Sequence, residues 1–427
     1  MSTRLFNRNF NILLSGMFVK GIGTGVYEVA GMLLVLAISG NVFYSGLAYF
    51  AISAADCLGF LIAPFANYVS YKKSLVFCEF LKSALLFSIP LFAVLFGLNV
   101  FYCILVLFIV AMISQFTYPV ESTVIPSIVP QDSLVQANSY LNTLRESMNI
   151  VFLAVAGIVV AFIGPVQAIL ITAICHLCTS LIYTLYRFDF QNTDEKEQPE
   201  ISKWLQNYKQ DFMAGIRYIT GSSIIPHLVV ACFFVNFFIA AMFATLPAFA
   251  LMQGGSESYY GYYMAAMSVG LLCGAIITPR VGKFPFGKLT VLCGVSSGLL
   301  WVGASLLPVI PSIALYGAGF VTIGIFNVLM FSAIQRQIET SMIGRVITVV
   351  SSAAAFSMPI GALVGGAIGS ISPLYSILLG GIAMVIFGMY WLVSGVLRKL
   401  PSIDQLELSE TVATPTSYHE PVKDAHA

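Results

Sequence analysis

Charged side chains are scarce in this chain, since Asp, Glu, Lys and Arg together make up 9% of its 427 residues. A soluble globular domain carries about a quarter charged residues, so the composition excludes an ordinary soluble protein. An excess of one sign is absent as well, because the net charge is +1, and no basic field is available for nucleic acid. Hydrophobic residues instead make up 58% of the sequence, and its mean hydropathy is +0.90. These values predict a protein that crosses a membrane many times.

Motifs of enzymatic chemistry are also missing from the sequence. The Gly-rich stretch GALVGGAIG at 361–369 lies within an apolar segment and not between a strand and a helix, so it is not a phosphate-binding loop. All eight cysteines fall in apolar segments, which is typical of buried free thiols. Cys175-His176-Leu177-Cys178 has the spacing of metal ligands, but no second ligand pair accompanies it. We therefore expect no enzyme activity, no cofactor and no metal site.

Twelve apolar segments are long enough to cross a bilayer as helices, which takes about 20 residues. Pro and Gly residues at their ends mark the joints between them. The fold class predicted is therefore an all-α integral membrane protein. The segments are 11–38, 43–66, 74–97, 99–119, 149–165, 167–187, 226–251, 261–280, 289–307, 312–333, 347–370 and 374–397.

The positions of Lys and Arg predict the orientation of these helices. Cytoplasmic loops carry an excess of both residues. With a cytoplasmic N-terminus, all of the basic residues lie on the cytoplasmic side except Lys20 and Lys82, which lie within spans. We therefore predict a multi-pass protein of the plasma membrane with both termini in the cytoplasm.

The chain divides into two halves around a long internal loop at 188–225. That loop begins with an acidic run and ends in ISKWLQNYKQDFMAGIRYI, whose apolar residues recur at helical spacing and predict an amphipathic helix on the inner membrane surface. The polar tail at 400–427 is expected to be disordered. We predict an N-terminal bundle at 1–187 and a C-terminal bundle at 226–399, each with six spans. Parallel repeats of this kind are typical of transporters whose site lies between the halves near the midplane.

Three short motifs follow the order and spacing of a known transporter family. They are LVQAN at 134–138, YGYYMAAMSVGLLCG at 260–274, and QRQI at 335–338 with GRV at 344–346. Together they resemble the drug:proton antiporter branch of the major facilitator superfamily, which includes macrolide and siderophore exporters. The resemblance implies two pseudo-symmetric six-helix bundles that transport a substrate by alternating access.

The resemblance also implies a set of basic residues that latch the cytoplasmic side when it is closed. The loop APFANYVSYKK at 63–73 lacks the family's Asp and Arg and keeps only the charges of Lys72 and Lys73. Arg145 and Arg345 lie at matching places in the two halves, where they could bind helix C-termini or acidic residues. The equal alternative for Arg145 and Arg345 is that they only direct the topology.

Five charged residues lie within the predicted spans, and all of them are in the first half. At 1.5 Å per residue, Lys20 lies about 13 Å and Asp56 about 15 Å from the inner ends of their helices, so the two could meet. Glu79 and Lys82 share one helix face at i and i+3. We expect two structural charge pairs, Lys20 with Asp56 and Glu79 with Lys82. The alternative for these residues is a proton relay.

Glu28 differs from the other four because no basic residue lies at its depth, about 25 Å from the inner end of a tilted span. Desolvation disfavours an unpaired carboxylate. We therefore expect Glu28 to exchange a proton for substrate, with Asp56 as a second proton-coupling candidate. Glu28 could equally bind the positively charged group of a cationic substrate. The alternative is a protonated carboxyl that is hydrogen-bonded to a neighbouring helix.

Substrate contacts follow from the resemblance, because in the superfamily the first, fourth, seventh and tenth spans line the cavity. An aromatic cavity with few polar groups suits lipophilic compounds. The positions implied are Tyr27, Gln115, Tyr118, Asn236, Phe237, Phe320 and Asn327.

The hypothesis favoured by the sequence is a proton-coupled exporter of small lipophilic compounds, acting as a monomer in the lipid bilayer with protons and a small molecule as its partners. An ion gradient would then drive it, since the sequence has no nucleotide-binding loop. One alternative is a facilitator or importer of a neutral metabolite on the same fold. The other is a membrane sensor or anchor that transports nothing.

Overall fold

The computed structural model describes residues 5–62, 70–187, 201–256, 258–339 and 342–405. Three sequence predictions lie outside these ranges. They concern most of the loop at 63–73, the acidic part of the linker before 201, and the tail from 406 onward.

The described chain folds as thirteen α-helices and contains no strand. Twelve of them are long and mostly apolar, and α7 is an amphipathic helix between the sixth and the seventh of these. Eleven helices are long and apolar enough over their described residues to cross a membrane. The twelfth is α5, which is polar in its first half and apolar in its second. The bounds are α1 Arg8–Ser39, α2 Val42–Ile62, α3 Tyr71–Phe96, α4 Val100–Ile128, α5 Leu134–Ile163, α6 Pro165–Thr184, α7 Ile201–Gly221, α8 Ile225–Gly254, α9 Ser258–Val281, α10 Phe286–Leu306, α11 Val309–Arg336, α12 Ile343–Ile371 and α13 Pro373–Val393.

Local chemistry accounts for where several helices begin and end. The Asn7 side chain accepts hydrogen bonds from two free backbone N–H groups at the start of α1, and Asn99 does the same for one at the start of α4. Gly40 ends α1 in the left-handed conformation at φ 62°, which glycine adopts without strain. These caps lie within a few residues of the predicted boundaries.

The largest boundary differences lie around the connection between α4 and α5. The apolar run of the fourth span ends near 119, but α4 continues to Ile128 through Pro119 and Pro126. Likewise α5 begins at Leu134, well before its apolar run at 149. A helix does not need to end where its sequence becomes polar, because polar side chains inside a bundle can find partners there. Glu121 consequently lies within a helix and not in a loop.

The twelve long helices pack as two similar groups of six. In the first group α1 lies against α5 and α6, and α3 lies between α4 and α6. In the second group α8 lies against α12 and α13, and α10 lies between α11 and α13. The two groups meet chiefly where α2 packs on α12 and where α5 packs on α9.

Most Lys and Arg residues lie at one end of the molecule, here called the basic end. The closest approach of α5 and α9 lies toward the opposite end. A Cβ added to Gly157 would lie 2.3 Å from the Cα of Gly261, so only glycines allow the two backbones to come this close. The Tyr49 and Phe243 rings also meet across the halves, with centroids 4.7 Å apart. Both contacts lie in the part of the molecule remote from the basic end.

The amphipathic helix α7 lies at the basic end and packs on α12. The Tyr218 hydroxyl accepts a hydrogen bond from the Glu339 N–H at 3.1 Å, just before α12 begins. Tyr218 and Ile219 are buried in this contact. At this part of α7, the apolar face that the sequence predicted to lie on the membrane surface contacts protein.

Candidate functional site

A buried charge cluster lies inside the first group of helices. The Lys82 Nζ lies 2.7 Å from Oε1 of Glu79, and the His176 Nδ1 lies 2.7 Å from the other oxygen of the same carboxylate. All three side chains are at most 2% exposed. A buried carboxylate needs such partners, because removing a charge from water is expensive unless it is paired. This geometry assigns Glu79 and Lys82 to helix packing between α3 and α6.

A second ion pair joins α1 to α4. The Lys20 Nζ lies 2.5 Å from Oε1 of Glu121, and the Tyr183 hydroxyl donates a hydrogen bond to the same oxygen at 3.0 Å. Glu121 is 2% exposed and Lys20 is 18% exposed. The structure therefore gives Lys20 a different partner from Asp56, with which the sequence paired it. The sequence analysis missed Glu121 because it lies two residues beyond the apolar run of the fourth span.

Asp56 lies on α2 and faces a cavity at the basic end. The Gln115 side-chain amide, on α4, donates a hydrogen bond to its carboxylate. The cavity has a volume of about 540 Å³ and lies between α2, α7 and α12. Among the described residues that line it, Asp56 is the one with a charge. The lining residues are Asp56, Cys57, Tyr208, Phe212, Ile347, Thr348, Ser351, Ser352, Ala355 and Phe356.

The wall of this cavity combines parts of both halves. The Cys57 thiol donates a hydrogen bond to the Ala355 carbonyl at 2.8 Å, which ties α2 to α12 beside the cavity. Tyr208 and Phe212 reach it from α7 with their rings stacked at 6.0 Å. The arrangement offers one negative charge, aromatic surface and hydroxyl groups to a guest molecule.

Glu28 lies deep in α1 and is half-buried. Within the described part of the chain it forms neither an ion pair nor a hydrogen bond. Its carboxyl lies within electrostatic range of Asp56, Tyr49 and Tyr260. Tyr49 is on α2 and Tyr260 is on α9, so Glu28 lies near the junction of the two halves. Neither of the two acidic groups, Glu28 and Asp56, has a described basic partner.

Most of the predicted substrate residues are at least partly exposed or lie beside Asp56. Gln115 contacts Asp56, and Tyr118 is 52% exposed with the Arg145 guanidinium 4.3 Å from its ring centroid. Asn327 is exposed on α11. Asn236 and Phe237 are half-buried on α8, where the Asn236 amide donates to the carbonyl of Cys232 in its own helix and the Phe237 ring packs on Phe233 and Phe238.

Two predicted substrate residues are instead buried between helices in this conformation. The Tyr27 side chain is 5% exposed, and its hydroxyl donates a hydrogen bond to the Leu107 carbonyl of α4. Phe320 is 1% exposed and packs on the Trp301 and Tyr316 rings at 4.9 and 5.1 Å. Successive residues of a helix point about 100° apart, so a residue on a cavity-lining helix can still face a neighbouring helix.

The four residues predicted to form a cytoplasmic latch make only local contacts in this conformation. The Arg345 Nε lies 2.8 Å from the Asp211 carboxylate on α7, and both side chains are about half exposed. Lys72 donates to the carbonyl of Tyr186 at 2.6 Å, and Lys73 is exposed. Arg145 lies over Tyr118 within its own half. None of these described contacts joins the first group of helices to the second.

Other elements of the prediction concern cysteines and metals. All eight cysteines are free thiols. Among the described residues, no three His, Cys, Asp or Glu side chains are grouped so that they could hold a metal ion.

Two pseudo-symmetric groups of six membrane helices, with a largely apolar cavity at their junction, are the architecture of a membrane transporter. The sequence matches a family described as transmembrane secretion effector over residues 3–425, and the chain therefore belongs to this family of major facilitator transporters. It is a multi-pass integral membrane protein and a transporter rather than an enzyme.

Two relatives match most of the chain at low identity. The MFS-type transporter YkuC of Bacillus subtilis is 25% identical over 367 residues, which cover 80% of each chain. The multidrug efflux pump Tap of Mycolicibacterium fortuitum is 22% identical over 412 residues, covering 93% of this chain and 97% of that protein.

Solved structures share the fold. The nucleoside transporter NupG superposes with a TM-score of 0.61 at 14% identity and covers 92% of this chain and 98% of its own. A bacterial homologue of the iron transporter ferroportin, in an inward-facing state, superposes with a TM-score of 0.65 at 15% identity and covers 92% and 100%. At these identities the likeness concerns the fold and not the substrate.

Proposed function

We propose that this protein is a proton-coupled efflux transporter of small lipophilic compounds in the plasma membrane, working as a single chain with both termini in the cytoplasm. The observation that carries the proposal is the position of Glu28. It is an acidic residue in the middle of a membrane helix, near the junction of the halves, without a described ionic or hydrogen-bonding partner. Intramembrane acids in such positions mark ion or substrate pathways.

The chemistry of coupling follows from the contrast between the acidic residues. Glu79 and Glu121 are held by Lys82 and Lys20, so they have no need of a mobile cation. Glu28 and Asp56 have no described basic partner and lie within electrostatic range of each other. Binding a proton or a cationic substrate removes the cost of keeping such a charge in the membrane. Exchange of one for the other at this pair is the proposed coupling step.

The cavity beside Asp56 supports a lipophilic substrate with a cationic group. The aromatic rings of Tyr208, Phe212 and Phe356 provide apolar surface, and Asp56 provides the counter-charge. Thr348 and the neighbouring serines provide hydrogen-bond donors and acceptors. A volume of about 540 Å³ lies within the usual range of small-molecule sites. The similarity to the multidrug efflux pump Tap favours efflux of drug-like compounds.

The basic end supports an orientation in which the cavity can load substrate from the cytoplasm, as efflux requires. Lys and Arg are enriched on the cytoplasmic side of membrane proteins, so the cavity beside Asp56 would face the cytoplasm. The described glycine contact between α5 and α9 closes the opposite end. This conformation would therefore be the one that loads substrate from inside the cell.

Efflux of a fluorescent cation tests the function. Cells that express the protein should accumulate less ethidium than cells with an empty vector, and a protonophore should abolish the difference. An unchanged ethidium level together with faster uptake of a neutral metabolite would contradict efflux and favour the facilitator or importer.

A further inference from the structure

Four basic residues from two distant parts of the sequence lie together at the basic end. Lys283 and Lys288 flank the connection between α9 and α10, and Arg398 and Lys399 follow α13. The sequence explains them as topology signals, which predict a side of the membrane but no mutual arrangement. The structure adds that arrangement.

The chain after α13 folds back over the start of α10. The Phe286 N–H donates to the Pro401 carbonyl at 2.9 Å, and the Gly287 N–H donates to the Leu400 carbonyl at 3.3 Å. A Cβ on Gly287 would lie 2.0 Å from the Leu397 carbonyl oxygen, so this approach requires glycine. Leu397 and Leu400 are buried in the contact. Residues 400–405 are thus fixed on the second helix group, although the sequence assigned them to a disordered tail.

A pocket of about 450 Å³ lies between the folded-back segment and α10. Of the described residues around it, four are positively charged and none is negative. Among the described residues, the four cations make no ion pair. The nearby Asp404 carboxylate is already paired with Arg336, at 3.1 Å. The lining residues are Lys283, Pro285, Lys288, Arg398, Lys399, Pro401, Ser402 and Gln405.

Four like charges around one pocket repel each other, and a multivalent anion relieves that repulsion. Arg and Lys are the side chains that bind phosphate oxygens, and a guanidinium does so with two parallel hydrogen bonds. Ser402 and Gln405 add neutral donors at the same pocket. The set therefore matches a phosphate group better than a carboxylate or a halide.

The surroundings of the pocket point to the membrane as the source of the phosphate. Phe284 is 61% exposed, and Val393 and Val396 at the end of α13 are 77% and 54% exposed. These apolar side chains lie next in sequence to the cations, at the level where membrane helices end. A ligand with a phosphate headgroup and acyl chains could use both the pocket and this flank.

We propose that the pocket formed by Lys283, Lys288, Arg398 and Lys399 binds the phosphate headgroup of an anionic phospholipid. Basic pockets at the cytoplasmic ends of membrane helices bind such headgroups. A bound lipid would bridge the segment after α13 to the start of α10 and hold both against the membrane. The site is remote from Glu28 and Asp56 in sequence and is independent of the proposed transport function.

The test uses the purified full-length protein in nanodiscs of neutral phosphatidylcholine, with or without phosphatidylglycerol. The pocket variant replaces all four pocket cations by Gln. A matched control replaces four exposed cations elsewhere at the basic end, Arg187, Lys209, Arg217 and Arg280, so that both variants lose the same charge. An unfolding temperature equal to that of the wild type in neutral nanodiscs shows that a variant is folded. A further variant with Lys283, Lys288 and Lys399 changed to Arg keeps the charge and should bind like the wild type.

Phosphatidylglycerol should raise the unfolding temperature of the wild type and the control but not of the pocket variant. Each basic residue near an anionic surface strengthens binding by about fivefold, so loss of all four should weaken lipid retention in native mass spectrometry by at least roughly a hundredfold. An equal response of the pocket variant and the wild type would overturn the proposal, as would an equal loss in the control. Stabilisation by inorganic phosphate alone, with no further effect of phosphatidylglycerol, would contradict the lipid and assign the pocket to a soluble phosphate.

Discussion

Lys20 on α1 and Glu121 on α4 form an ion pair inside the membrane, with Nζ 2.5 Å from Oε1. Together with Glu79 and Lys82 they make a group of two positive and two negative side chains within one half of the transporter. The four charges balance, so the group needs no ion from outside. This balance separates structural acids from Glu28 and Asp56, which have no described basic partner.

Removing one member of the Lys20–Glu121 pair should destabilise the protein strongly. Glu121→Gln leaves Lys20 without its counter-charge, and breaking a buried pair in this way costs about 3–5 kcal/mol. The double variant Lys20→Met with Glu121→Gln removes both charges and should recover much of that loss. Thermal unfolding in detergent measures the stability of both variants against the wild type. Arg345→Ala breaks an exposed pair and serves as the comparison, with an expected loss below about 1 kcal/mol.

Equal stability of Glu121→Gln and the wild type would show that the pair contributes nothing. A double variant that is no more stable than the single one would show that Lys20 has another counter-charge.

The aromatic cavity should determine the affinity for a lipophilic cation. Asp56→Asn removes the one charge of the cavity wall and should lower tetraphenylphosphonium affinity by about tenfold, which corresponds to about 1.4 kcal/mol. Phe212→Ala removes a ring contact and should lower it by about fivefold. Equilibrium binding to the purified protein measures both changes.

Asp132→Asn is the matched control for the cavity variants, because Asp132 is an exposed acid outside the cavity. It should leave the affinity unchanged. Wild-type affinity in both Asp56→Asn and Phe212→Ala would place the binding site elsewhere in the molecule.

The glycine contact between α5 and α9 should be required for the transport cycle. A Cβ at position 157 would lie 2.3 Å from the Gly261 Cα, so Gly157→Leu places a branched side chain where there is no room for it. The two helices then cannot approach as they do here at the end opposite the basic end. The variant should fold and reach the membrane but lose most of its ethidium efflux. Gly221→Ala, at a helical glycine with open space around its Cβ position, should keep full efflux. Full efflux in Gly157→Leu would mean that this contact is dispensable.

Much of the fold follows from the sequence because hydrophobic length and the distribution of Lys and Arg depend on the bilayer and not on tertiary detail. The twelve long helices and the amphipathic α7 are examples. Glu121 was not predicted, because its role depends on a helix that continues beyond the apolar run. A basic residue within a span, such as Lys20, indicates that an acidic partner lies near it. A search just past the ends of the spans would have found Glu121.

Side-chain directions were harder to predict than helices. Tyr27 and Glu28 are neighbours on α1, yet Tyr27 packs on α4 while Glu28 lies near the junction of the halves. When nearly every residue of a helix is apolar, the sequence has no hydrophobic periodicity that shows which face of the helix a residue lies on. The contact of His176 with Glu79 was not predicted, because it depends on the distance between α6 and α3, which only the folded structure gives.

The central claim is that Glu28 carries the exchanged proton. The direct measurement is ethidium transport by purified protein in liposomes, with and without an imposed pH gradient, for the wild type and Glu28→Gln. We expect the gradient to accelerate transport by the wild type and to have no effect on Glu28→Gln, while ethidium still equilibrates down its own gradient. If the pH gradient accelerated ethidium transport by Glu28→Gln as much as transport by the wild type, the account would be contradicted.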